Sequence, residues 1–159
     1  MDIKVNSEEE MQILGRDLAA VLDEDDVVYL RGELGAGKTV LVRGIARGLG
    51  YEGRVTSPTF TLMNVYPSKP MICHFDFYRL ESPDLLDLGL EEYIECGVIS
   101  LVEWPQIGKE LLPREALWIE IELTDGDYER ARTVHISAQG KKYREKLERL
   151  RQIVDLSDR

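Results

Sequence analysis

Positive charge is the scarcer kind in this 159-residue chain, with 20 lysines and arginines against 30 aspartates and glutamates, a net charge of −10. Nonspecific affinity for nucleic acid comes from neutralising phosphates, so an acidic surface repels bulk RNA and DNA. If the chain works near RNA, a partner is expected to supply the basic surface. Cysteine is nearly missing: Cys73 and Cys96 are the only two, without CxxC spacing. That excludes a disulfide scaffold, and both are expected to pack as small reduced hydrophobes. The histidines, His74 and His135, form no ligand cluster with them. Asparagine occurs only at Asn6 and Asn64, and neither precedes lysine. The Asn-Lys-x-Asp block that normally selects guanine is therefore absent, which argues against a GTPase. No apolar run approaches the ~20 residues that span a bilayer. The opening Met1-Asp2-Ile3-Lys4-Val5 has no basic region followed by an apolar stretch, so no signal peptide is read. A cytoplasmic protein with no membrane partner is expected. Repeats and low-complexity linkers are also missing.

What is present predicts an α/β fold. Length and 43% hydrophobic content suit one domain over residues 1–159, burying roughly 70% of the surface its unfolded chain exposes. Ser7 and Glu10 read as a capping box ahead of a helix carrying Met11, Leu14, Leu18, Ala19 and Leu22. Val27-Val28-Tyr29-Leu30 reads as a buried strand. A second helix follows with Leu41, Val42, Ile45, Ala46 and Leu49 inside, stopping at Gly50. Strands are expected over 60–66 and 71–77, then a short acidic helix from Pro83 through Tyr93. Val98 to Val102 reads as another buried strand, and Leu117 to Leu123 alternate like a half-exposed one. A turn at Thr124 to Asp127 leads to a last strand at Val134 and Ile136. A basic helix at about 140–155 shows one stripe, Tyr143, Leu147, Leu150 and Val154, and is expected to be otherwise solvated. The acidic runs at 8–10 and 23–26 read as solvated helix ends. Together these predict an α/β domain with a mixed, partly antiparallel central sheet flanked by helices.

The chemistry concentrates first at Gly32-Glu33-Leu34-Gly35-Ala36-Gly37-Lys38-Thr39, a full match to GxxxxGK followed by serine or threonine. Triphosphate oxygens need several backbone N–H groups at close range, and glycines permit that approach. A helix starting near Lys38 aims its positive dipole end at the phosphates. Lys38 is expected to bridge the β- and γ-phosphates, and the Thr39 hydroxyl to ligate Mg²⁺. The match sits between a buried strand and a helix, the context that makes it specific, and it makes the expected fold class a P-loop NTPase three-layer sandwich.

Two carboxylates are candidates beside it. Glu103 ends a core strand where a Walker-B carboxylate would stand, opening onto the crevice in which α/β sheets bind ligands. Asp76, in His74-Phe75-Asp76-Phe77-Tyr78-Arg79, alternates with two phenylalanines and could position or activate water, with Arg79 as its partner or a phosphate contact. A structural Asp–Arg pair is the competing reading. Which carboxylate touches the metal directly is open. Pro58 stiffens Thr56-Ser57-Pro58-Thr59, whose hydroxyls could sense the γ-phosphate. Lys38, Thr59 and Asp76 are the catalytic candidates.

In this order, the glycine-rich block, Ser57-Pro58-Thr59-Phe60-Thr61-Leu62, the His74-to-Arg79 block, and Leu101-Val102-Glu103-Trp104-Pro105 resemble the TsaE family, also called YjeE. The resemblance runs from about Ser7 to about Trp118. It implies an ATPase of bacterial tRNA threonylcarbamoyladenosine synthesis that uses ATP and Mg²⁺ and acts with TsaD and TsaB, reaching tRNA only through them. It carries nucleotide binding to Leu34, Gly35, Ala36, Gly37, Lys38 and Thr39, and magnesium binding to Thr39 and Glu103. It places Asp76 as the family's acidic residue and Ser57 to Thr59 as a switch-like loop. Glu8 falls at an adenine-side contact. A late arginine, Arg130 or Arg132, is expected near the nucleotide, with Arg132 preferred. Two other functions compete. A small-molecule kinase would use Asp76 as base, but no arginine-rich lid is visible. A nucleotide-gated binding module would keep the motif without hydrolysis.

Overall fold

A computed structural model describes residues 1–33, 35–77, 92–94, 96–105, 112–124 and 131–157. Its elements are β1 (Asp2–Val5), α1 (Glu8–Ala19), β2 (Val27–Gly32), α2 (Lys38–Gly48), β3 (Met63–Tyr66), β4 (Ile72–Asp76), β5 (Ile99–Glu103), β6 (Ala116–Leu123), β7 (Arg132–Gln139) and α3 (Lys141–Ser157). The strands form one seven-stranded sheet in the order β1-β7-β6-β2-β5-β4-β3. Pairings from β6 through β2 and β5 to β4 are parallel, whereas β3, β7 and β1 add antiparallel margins. The mixed α/β sheet is the architecture that the sequence predicts.

Alternation along the strands sorts two cores. Val28 and Leu30 of β2, Ile99 and Leu101 of β5, and Ile72 of β4 pack with buried residues of α1, α2 and α3. Val27, Tyr29, Cys73, Phe75 and Val102 point the other way, into a second core with Ile94 and Leu112. The parity has a functional result. His74, Asp76 and Glu103 share the pleat face of Ile72, Ile99 and Leu101, which is the face that α2 covers.

The helices α1 and α2 cross with almost no space between their backbones. A Cβ on Gly44 would stand 2.3 Å from the Gln12 carbonyl oxygen, and one on Gly15 2.5 Å from the Leu41 carbonyl oxygen. Only glycine fits there, and the approach sets the start of α1 beside the start of α2. Ser7 caps α1 by accepting from the Glu10 N–H at 3.1 Å. The reciprocal bond goes one residue further back than a capping box predicts, from the Asn6 N–H to Glu10 Oε2 at 2.8 Å. α2 ends at Gly48, with Gly50, the expected stop, just beyond the C-cap Leu49.

Several expectations change. β3 begins at Met63 rather than Phe60. The Leu62 N–H donates to the Pro58 carbonyl at 2.7 Å, which turns the chain before the strand and leaves Phe60 83% exposed. Cys73 is buried as expected, but Cys96 is exposed. The run 23–26 is not wholly solvated. Asp26 is buried and holds Lys146 at 2.8 Å and Lys142 at 3.1 Å. Lys146 is itself buried, and the half-exposed Lys142 reaches the same carboxylate, so α3 is tied to the domain by two cations. The acidic helix expected from Pro83 lies mostly outside the described residues, as do positions 125–127 of the expected turn.

Candidate functional site

The carboxyl ends of β2, β4 and β5 open onto a cleft of about 320 Å³. β2 delivers the glycine-rich turn because its apolar run stops at Gly32, and α2 starts within the same motif. Gly37, the N-cap of α2, has φ 115°, and no side chain caps the helix. A side chain at Gly37 would crowd Met11 Cε at 3.2 Å. The first-turn N–H groups of α2 lack intrahelical partners by geometry, and the first turn holds no acidic residue. Such a helix start suits an anion.

Lys38 does not extend into solvent. It is 6% exposed. Its Nζ donates to the Gly32 carbonyl at 2.6 Å and stands 3.6 Å from Glu103 Oε1. The Trp104 ring lies 5.1 Å beneath it, a favourable cation–π position. Trp104 reaches that place through a left-handed backbone, φ 58°, directly after β5. Glu103 Oε2 meets His74 Nε2 at 2.7 Å. Asp76 is the β4 residue in register with Glu103, and its Oδ2 accepts from Thr59 Oγ1 at 2.9 Å. Ser57 Oγ lies 2.7 Å from that same Thr59 hydroxyl.

Arg132, at the start of β7, braces the loop. Its Nε donates to the Ala36 carbonyl at 2.6 Å and a terminal nitrogen to that of Gly35 at 3.4 Å. Thr39, Ser57, Glu8 and Ser7 line the same cleft. Of the expected site residues, Glu8, Gly35, Gly37, Lys38, Thr39, Thr59, Asp76, Glu103 and Arg132 thus converge, and Ala36 joins through Arg132. Leu34, Tyr78, Arg79 and Arg130 lie outside the described residues. Sequence reasoning gave no role to His74, Tyr66 or Trp104. The signal for His74 was its two-residue spacing from Asp76, which puts both on one strand face.

Burial pushes the Tyr66 phenol above its ordinary value and does the same for the Cys73 thiol, so both are held in their neutral forms. Among the described residues no three His, Cys, Asp or Glu side chains come together as a metal cage. One hydroxyl and two carboxylates instead make a sparse set of hard oxygen donors. Magnesium characteristically takes such a set and fills its remaining positions with water and substrate phosphate oxygens. No described helix is long and apolar enough to cross a membrane.

Fold and site together define an α/β protein of the strand, glycine-rich loop and helix type, with a buried lysine and two carboxylates at the ends of its parallel strands. The sequence model of the family described as "Threonylcarbamoyl adenosine biosynthesis protein TsaE" matches residues 5–134. The chain belongs to the TsaE family. It is 42% identical over 115 residues to the tRNA threonylcarbamoyladenosine biosynthesis protein TsaE of Haemophilus influenzae, covering 71% of this chain and 70% of that one. With the Streptomyces coelicolor protein of the same description it shares 41% over 139 residues, 84% of this chain and 93% of the relative. The crystal structure of Bacillus subtilis YdiB aligns with a TM-score of 0.83 at 33% identity, covering 96% of this chain and 94% of that one.

Proposed function

We propose that this protein binds ATP with magnesium and hydrolyses it for tRNA threonylcarbamoyladenosine biosynthesis, acting with TsaD and TsaB. The observation that carries the reading is convergence. Lys38, Thr39, Asp76, Glu103 and Arg132 come from separate segments and line one cleft at the strand ends.

Phosphates would be taken by the N–H groups at the start of α2 and by Lys38, which would exchange its bond to the Gly32 carbonyl for a phosphate oxygen. Thr39 and Glu103 would hold the magnesium ion, which when bound withdraws charge from phosphate oxygens. Asp76 is the base: Thr59 holds its Oδ2 in the cleft, where the carboxylate would orient a water and take its proton. Arg132 keeps the Gly35 and Ala36 carbonyls turned away from the anion. Glu8 would reach the nucleoside end.

The same reading has tRNA arriving through TsaD and TsaB. Net charge is −10, and several of the described cations are already engaged: Lys142 and Lys146 by Asp26, Arg47 by the Tyr51 and Gly53 carbonyls at 2.8 and 2.7 Å. Arg31 stacks 5.1 Å from the Trp118 ring. ATP hydrolysis by the purified chain, alone and with TsaD and TsaB, tests the proposal. Turnover that the partners stimulate is expected. No turnover in any combination would reduce the protein to a nucleotide-gated binding module. Tight, salt-sensitive tRNA binding by the chain alone would contradict the indirect route.

A further inference from the structure

We propose that His74 is a positioning residue that orients Glu103 and, through Tyr66, ties that carboxylate to the backbone of loop 56–59. The metal half of this inference rests on the nucleotide reading above; the loop half stands on the chain alone.

His74 is fully buried in β4, and both ring nitrogens are engaged. A carboxylate only accepts hydrogen bonds, so Nε2 carries the hydrogen directed at Glu103 Oε2, 2.7 Å away. That bond fixes one oxygen of Glu103 and leaves Oε1 on the Lys38 side. With the hydrogen on Nε2, Nδ1 is an acceptor 3.3 Å from the Tyr66 hydroxyl, whose single hydrogen lies between Nδ1 and the Thr56 carbonyl at 3.0 Å. Asn64 Nδ2 donates to the same carbonyl at 3.0 Å, so the loop is anchored at its first residue. At its other end Thr59 is bonded to Asp76. Both cleft carboxylates are therefore tethered to one loop, Asp76 directly and Glu103 through two buried rings. A purely space-filling ring at position 74 would need neither contact. Hydrogen-bond partners of metal ligands commonly change metal affinity without touching the metal.

Three variants test this. His74→Gln keeps an N–H near the position of Nε2, His74→Asn keeps one only near Nδ1, and Tyr66→Phe cuts the loop link alone. ATP affinity is measured with magnesium and with EDTA. His74→Asn should lose about 10- to 100-fold of the magnesium contribution with its EDTA affinity unchanged, and His74→Gln should restore most of it. Equal magnesium contributions in the two variants would overturn the orienting role. A ¹⁵N-histidine spectrum of the parent needs no folded variant: the His74 Nε2–H signal must move when magnesium and ATP are added, and a fixed signal overturns the role equally. Amide exchange at residues 56–59 in the nucleotide-free chain should speed up in Tyr66→Phe, and parental exchange there would overturn the tether. A parent whose ATP affinity ignores magnesium would instead sink the nucleotide reading, leaving the tether to be decided by the exchange data.

Discussion

Asp76 and Glu103 are register partners on adjacent parallel strands, and both are almost wholly buried where they line the cleft. Their neighbours separate them. Glu103 is paired with Lys38 and His74, whereas Asp76 holds the Thr59 hydroxyl. Glu103→Gln should therefore weaken the magnesium dependence of ATP binding. Asp76→Asn should spare binding and lower turnover about 10²- to 10⁴-fold, the usual range for a lost general base. Hydrolysis rates across a magnesium titration check the division, and the opposite pattern would exchange the two roles.

Lys38→Ala should abolish productive ATP binding while the chain stays folded. The ammonium already serves Glu103 and the Gly32 carbonyl and is buried. Glu103 retains His74 after the substitution, which protects the fold. A charge-assisted hydrogen bond is worth about 1.5–3 kcal/mol, so affinity should fall at least tenfold to hundredfold, by roughly 1.4 kcal/mol per decade. Nucleotide titration and a melting curve on the same sample separate binding from folding. Parental affinity in the variant would remove Lys38 from the phosphate site.

What the sequence made legible was local. The run Val27 to Leu30, the glycine-rich turn and the apolar stripe of α2 are each encoded within a few residues, and Glu103 is marked by the end of an apolar run. The link between His74 and Glu103 is not local: it depends on the β4–β5 register, which arises only when the sheet assembles. The Gly15–Gly44 crossing is likewise set by two distant helices. Phe60 was misread because Phe60 and Leu62 continue an alternating apolar pattern, while Leu62 adopts a left-handed φ of 68° that the pattern does not encode. The choice between Arg130 and Arg132 was open in the sequence. Arg132 contacts the loop carbonyls at the cleft, and Arg130 lies outside the described residues.

Gly44→Ala should destabilise the fold although alanine is the better helix former. The propensity gain is about 1 kcal/mol. Against it stands a Cβ placed 2.3 Å from the Gln12 carbonyl oxygen, a backbone atom that cannot rotate away. Overpacking of this kind costs about 1–3 kcal/mol, so a net loss is expected. Separating α1 from α2 also displaces Glu8 and Met11, which line the cleft, so ATP affinity should drop together with the denaturation midpoint. A more stable variant would mean that the helices part freely.

The sheet margin carries a pH-dependent element remote in chemistry from the glycine-rich loop. His135 of β7 stands between β1 and β6, with Nδ1 2.7 Å from Asp2 Oδ1 and Nε2 2.9 Å from Glu122 Oε2. Its hydrogen bond to Asp2, then that to Glu122, raises His135 above its ordinary 6.5. The His135 hydrogen bond lowers Asp2 below its ordinary 3.8. The two shifts act at opposite ends of the pH scale. Stability from His135 is complete below 6.5 and is lost as pH rises through its raised folded value. Stability from Asp2 is present above 3.8 and is lost as pH falls through its lowered folded value. Between 3.8 and 6.5 both contributions are in force. The groups are well exposed, so the effect should be small and weakened by salt. The melting temperature of the parent minus that of His135→Gln should be positive near about pH 5 and should vanish by about pH 9. A difference that persists in alkali, or that ignores salt, would assign the stabilisation to packing of the ring rather than to its charge.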